Sequence, residues 1–302
     1  MRYILVLLFA ISVLSCKEKA KEDGRLNVVT TTSMITDLVK NIGGDHINLQ
    51  GLMGAGVDPH LYKASAGDVT KLSGADVIFY NGLHLEGKLV EVFEKMNATQ
   101  VTQIPLGESL DKTTLIGSDY FASNYDPHVW FNISYFNQFA KEVEATLSRK
   151  DPKNAENYKK NAESYIVKLA NLEIQVKAKI ETLPKEKRIL VTAHDAFNYF
   201  GKSYGFEVVG LQGLSTATEA GVQDVQRLSQ FIIDNEVKAI FVESSVPRRT
   251  IEALQAAVQS KGHEVVIGGS LYSDALGNTG TVEGTYIGML TYNVNTIVNG
   301  LQ

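Results

Sequence analysis

The sequence predicts an α/β protein: two parallel-sheet α/β sandwich domains joined by one long, rigid helix. Three observations carry that reading. Short apolar runs alternate with helix-period segments in the first half, the second half repeats the plan, and a single amphipathic stretch lies between. At roughly 150 residues per domain, the 302-residue length suggests two domains. A composition of 44% hydrophobic and 21% charged residues is that of a globular chain, which excludes disordered, collagen-like and coiled-coil classes. The net charge of -5 argues against nucleic acid as a partner, because a phosphate footprint needs a basic excess.

In the first half, NVVTTT (27–32), INLQGLM (47–53), ADVIFYNG (75–82) and VTQI (101–104) read as strands. MITDLVKNIG and LEGKLVEVFEKM carry helical periodicity between them. In the second half the strands are RILVTA (188–193), FEVVGL (206–211), KAIFVES (238–244) and HEVVIGG (263–269). Helices are expected around 195–204, 222–235, 248–261 and 282–300. Alternation of this kind implies parallel sheets with helical crossovers. Between the halves, Tyr158, Ala162, Tyr165, Leu169, Leu172, Val176 and Ile180 recur at steps of three and four, one apolar stripe on a helix. Pro152 suits its first turn and Pro184 limits its end. At 1.5 Å per residue such a helix runs about 45 Å, the length of two small domains. It is stiffer than paired crossover strands, so only small hinge motions are expected.

The N-terminus has a separate logic. Met1 and Arg2 precede an apolar run from Ile4 to Val13, too short to span a bilayer. Leu14-Ser15 then meets Cys16, the one cysteine in the chain. The pattern resembles a bacterial lipoprotein signal, in which cleavage before Cys16 accompanies lipidation of its thiol. The segments are then a signal peptide (1–15), a polar tether (16–25), a first lobe (26–150), a linker (151–184) and a second lobe (185–302). One cysteine also excludes an internal disulfide and any thiolate metal knuckle. Chemistry must come from histidine and carboxylates.

Asp-Pro-His occurs twice, at Asp58-Pro59-His60 and Asp126-Pro127-His128. Random placement of these residue types would give about 0.005 occurrences. Proline fixes φ and stiffens the turn, aiming the imidazole that follows. His128 lies in an aromatic-rich loop with Tyr120, Phe121, Tyr125, Trp130 and Phe131, able to exclude water. His194 follows one second-half strand and Asp274 another, where α/β folds place binding loops. Each residue alone has ordinary roles; Asp274, for example, could cap a helix or stabilise a turn. Together His60, His128, His194 and Asp274 make a four-residue metal site in the interdomain cleft. Of the other histidines, His46 reads as a solvent-exposed turn residue and His263 as a helix-end cation. His84 is the one that could approach the cleft, as a group behind the ligands, and Glu243 could hydrogen-bond a ligand imidazole. Neither a Walker A nor a GxGxxG pattern occurs.

GVDPHLYKASAGDV, NGLHLEGKL, YDPHVWFN, VTAHDAFNYF, STATEAGVQDVQRL and SLYSDALG together resemble the zinc/manganese-binding lipoproteins of bacterial ABC importers, and TroA-like members in particular. The resemblance runs from about Leu26 to the C-terminus. It implies a metal held between two α/β domains joined by a long helix, and carries over the same four ligands. It also implies delivery to a membrane permease driven by a separate ATPase. His194 matches the TroA-like and zinc-uptake pattern, whereas some manganese-specific members have Glu there. Residues 107–125 lack the histidine-rich loop of many zinc-uptake proteins. The cargo is therefore a divalent ion, zinc or manganese, with Fe2+ still open. The receptor is expected to be a monomer, held by lipid in the periplasm or on the outer face of the cytoplasmic membrane, and not an enzyme. Two rival readings remain on sequence grounds: a metal-dependent hydrolase, which four protein ligands and the lack of HExxH disfavour, and an adhesin stabilised by metal.

Overall fold

A computed structural model describes residues 23–119 and 121–302. The segment 1–22, including Cys16, and the single residue Tyr120 lie outside the described residues.

The first lobe is a four-stranded parallel sheet of order β2-β1-β3-β4, built from β1 (Leu26–Thr30), β2 (Ile47–Gly51), β3 (Val77–Tyr80) and β4 (Thr102–Pro105). Its helices are α1 (Ser33–Gly43), α2 (Ala66–Ser73), α3 (Val90–Met96) and α4 (Ile133–Lys150). In the second lobe β5 (Ile189–His194) pairs in parallel with β6 (Glu207–Gln212), and β7 (Ala239–Glu243) with β8 (Val266–Leu271). The two pairs lie side by side, with β5 against β7. The remaining helices are α6 (Asn198–Tyr204), α7 (Val222–Asp234), α8 (Arg249–Gln259) and α9 (Tyr286–Leu301). Each parallel pairing needs a crossover, and the helices supply it.

Between the lobes runs α5 (Ala155–Glu181), 27 residues long and so about 40 Å. All seven residues of the predicted stripe are buried. Pro152 starts a short 3-10 turn just before the helix, where its missing N–H costs nothing. The helix packs on α1 and α4 of the first lobe and on α9 of the second. The main hydrophobic cluster consequently runs without a break from Val28 through Leu169 to Leu290. The two domains suggested by length thus share an interior, and the outer faces alone have clusters of their own.

Several local expectations need correction. Helices α2 and α4 carry clear signals that the alternation reading passed over. Ser65 and Asp68 form a reciprocal capping box for α2. Asn132 accepts the N–H groups of Ser134 and Tyr135 at the start of α4, whose face Phe136, Phe139, Ala140, Val143 and Leu147 is buried. The helix expected from Leu85 begins only at Val90, and the residues just before Leu85, Gly82 to His84, all adopt positive φ. Strand β8 begins at Val266 rather than His263. His46 is half-buried, edge-on to the Tyr158 ring at 6.1 Å, because the 3-10 turn folds it against α5.

Candidate metal centre

Four loops or strand ends converge where the lobes meet. His60 lies in the loop after β2. The Asp58 carboxylate accepts the His60 backbone N–H at 2.8 Å, so the turn is pinned by aspartate as well as by Pro59. The second tripeptide repeats the device and extends it: Asp126 Oδ1 accepts the His128 backbone N–H at 2.9 Å and also lies 2.7 Å from His128 Nδ1. His194 is the last residue of β5 rather than the first beyond it. Its N–H donates to Glu243 Oε1 at 2.8 Å, and its Nδ1 lies 2.5 Å from Glu243 Oε2. Glu243 ends β7, the neighbouring strand, so the sheet itself sets this contact. Asp274 follows β8. A carboxylate beside Nδ1 holds a proton there, which leaves Nε2 of His128 and of His194 as the atom able to ligate at the centre.

His60 Nε2 and His128 Nε2 are 3.3 Å apart. Asp274 Oδ2 lies 3.6 Å from His60 Nε2 and 3.2 Å from His194 Nε2; Asp274 Oδ1 lies 3.7 Å from His128 Nε2. One ligating atom from each residue falls within 4.8 Å of all the others. A tetrahedron with metal–ligand distances of about 2.1 Å has edges of about 3.4 Å, so the spacing fits one ion. His128 and His194 are fully buried, Asp274 nearly so, and His60 is 4% exposed. Both Asp274 oxygens and His194 Nε2 are buried without a hydrogen-bond partner among the described residues. Such groups are costly unless something pairs with them, and a cation would.

The electrostatics divide the imidazoles. Burial drives the His60 pKa down to about 3, against the pull of Asp274, so His60 is a neutral donor. Burial also disfavours charge on His194, but Glu243 and Asp274 outweigh it and raise its pKa well above the ordinary value. Burial would raise Asp274, yet His194 and the other two imidazoles hold its carboxyl below the usual range.

Hydrogen bonds between the lobes close the cleft over this centre. Thr216 Oγ donates to Asp58 at 2.5 Å, Trp130 Nε1 to the Ser273 carbonyl at 3.1 Å, and the Leu276 N–H to Ser33 Oγ at 2.8 Å. Asn198 donates to Asp126 Oδ2 at 3.1 Å. The structure thus brings together all four proposed ligands, with Glu243 directly behind His194. His84 stands apart: it is exposed, and its ring meets Phe121 at 6.1 Å. Sequence reasoning missed Asp58, Asp126 and Thr216. The aspartates had a signal, a carboxylate two residues before an imidazole in each tripeptide; Thr216 had none.

Residues 28–300 match the family described as ZnuA, zinc-uptake complex component A, periplasmic. The chain is 48% identical over 282 residues to the zinc-binding protein TroA of Treponema pallidum (strain Nichols), covering 93% of this chain and 91% of that one. It is also 48% identical over 280 residues to the manganese-binding lipoprotein MntA of Bacillus subtilis (strain 168), with the same shares covered. The solved structure of the periplasmic zinc binding protein TroA from Treponema pallidum superposes with a TM-score of 0.89 at 47% identity, covering 92% of this chain and 99% of that one. With two α/β lobes, a spanning helix and homology along nearly its whole length, the chain belongs to the ZnuA family of periplasmic metal-uptake components.

Proposed function

We propose that this chain is the extracytoplasmic receptor of an ABC-type importer: it captures a divalent metal ion, zinc or manganese, and delivers it to a permease worked by a separate ATPase. The observation that carries the proposal is the convergence of His60, His128, His194 and Asp274 from both lobes, with buried Asp274 oxygens that have no hydrogen-bond partner among the described residues. Ligands divided between two lobes suit an ion that must be enclosed and then released. Four protein ligands complete a tetrahedral shell, and catalysis by a bound ion needs an open position. A carrier role fits that closed shell better than hydrolysis. Asp126 and Glu243 serve as the groups that orient His128 and His194.

Three nitrogens and a carboxylate suit zinc, which outcompetes manganese at most such sites. Relatives of equal identity are named for zinc and for manganese, and selection in the cell can follow geometry and availability rather than affinity. Cys16, outside the described residues, would anchor the receptor by lipid to the outer side of the cytoplasmic membrane, where it acts as a monomer. Among the described residues no helix is long and apolar enough to cross a membrane.

Metal content tests the proposal. Wild-type protein should hold one equivalent of Zn2+ or Mn2+ after dialysis. His128→Ala, which removes one of four ligands, should lose most of it. Full occupancy in that variant would remove His128 from the site.

A further inference from the structure

We propose that His84 is an outer capture ligand, which binds the incoming ion at the mouth of the cleft and passes it to His60. The inference rests on the metal-receptor reading above and specifies how the ion arrives.

The four ligands differ in what an ion can reach. His128 and His194 are fully enclosed and Asp274 is 1% exposed, whereas His60 lines a small surface cavity of about 130 Å³. His84 and Phe121 line the same cavity. The Phe121 ring stands edge-on to both imidazoles, with centroids 6.4 Å from His60 and 6.1 Å from His84. A larger cleft of about 560 Å³ also reaches Phe121, but none of the four ligands lines it. Of these two cavities, the smaller is the one that a ligand lines.

The backbone around His84 is built at some cost to present this ring. Leu83 (φ 49°) and His84 (φ 62°) follow Gly82 (φ 73°) in the left-handed region, where non-glycine residues are uncommon and persist when their surroundings hold them. The buried carboxylate of Glu86 does so, accepting the N–H groups of Asn81 and Gly82 at 2.8 and 3.1 Å and the Thr31 hydroxyl at 2.7 Å. Gly87 leaves the room: a Cβ there would lie 3.1 Å from His84 Nε2. Leu83 and Leu85 are buried on either side, so the turn holds an exposed imidazole between two anchored neighbours.

The transfer is a ligand exchange. A hydrated ion gains one bond to a His84 ring nitrogen and loses a water. His60 Nε2 then replaces a second water, the bond to His84 breaks, and the three inner ligands displace the remaining waters into solvent. No proton or electron changes hands between the two imidazoles. Lys88 lies on the same rim, and its ammonium repels a cation, which keeps the stay at His84 short.

A relay lowers the barrier in both directions and leaves the end states unchanged. His84→Gln should therefore slow binding and release by the same factor, with Kd unaltered. Trp130, the sole tryptophan, lies 5.3 Å from the His128 ring and reports arrival of the ion. Stopped-flow fluorescence on mixing metal-free protein with Zn2+, and release into excess chelator, give the two rates. A change of about tenfold in each is expected, well inside the range over which association rates vary among related complexes. Unchanged association would overturn the proposal. So would a weakened Kd at unchanged association, which would make His84 a permanent ligand. His84→Gln should keep the wild-type melting temperature, since its ring is exposed. Failure of the wild type to bind Zn2+ at all would sink the receptor reading instead.

Discussion

The two Asp-Pro-His tripeptides show how much a residue's neighbours decide. In both, the aspartate clasps the backbone N–H of the histidine. Asp126 then reaches His128 Nδ1, whereas Asp58 turns away to meet Thr216 across the cleft. One tripeptide thus orients a ligand ring and the other latches the lobes. The histidines were legible because an improbable repeat marked them and strand ends placed the rest. The division of labour between the aspartates was not, because it depends on which group from the other lobe stands opposite. The same holds for proton affinity. A reference imidazole value near 6.5 puts loss of metal below about pH 6. His194 shifts that window upward: Glu243 and Asp274 keep it protonated in the metal-free protein, and an ion can use only the neutral ring. Binding must displace that proton, so affinity should rise about tenfold per pH unit until the raised pKa is passed. His60, neutral above about pH 3, adds no dependence in this range. Zn2+ titrations at several pH values, with proton release read from calorimetry in buffers of different ionisation enthalpy, check the slope. A flat profile between pH 5.5 and 7.5 would contradict it.

At the scale of elements, the buried face of α5 was legible because its apolar stripe keeps one period. Helix α4 was passed over although its apolar face is as regular; the Lys141, Glu142 and Glu144 stretch occupies its outer side and dilutes the pattern. The left-handed turn at 82–84 could not be read at all. Leucine and histidine carry no preference for positive φ, and the turn exists because Glu86, four residues after Gly82, gathers its N–H groups. The stripe on α5 also has a measurable weight. Leu169 is fully buried near the middle of the helix, and Leu169→Ala should destabilise the protein by about 2–5 kcal/mol. Urea unfolding measures this. Metal stoichiometry should stay at one, since the helix supplies no ligand.

For the whole molecule, the decisive feature is the interior shared across α5. The fold class, two parallel α/β lobes and a spanning helix, followed from alternation and one amphipathic stretch. A common core did not, because periodicity tells which face of a helix is buried and not how many partners bury it. A shared interior predicts one cooperative unfolding transition, with tryptophan fluorescence and far-ultraviolet dichroism giving the same midpoint. Two separated midpoints would show that the lobes unfold independently. Hydrogen exchange along α5 should change little when metal is added, because the helix is held by packing from both sides with or without an ion.

That common interior also bears on how such a receptor can vary over evolutionary time. Neither lobe is a module that could be exchanged, duplicated or borrowed alone, since each would carry an open half of the other's interior into water. Change in cargo is consequently confined to what lies on top of the shared framework: the four converging loops, the carboxylates behind them and the turn at the rim. Substitutions there can retune the ion while the scaffold is inherited whole.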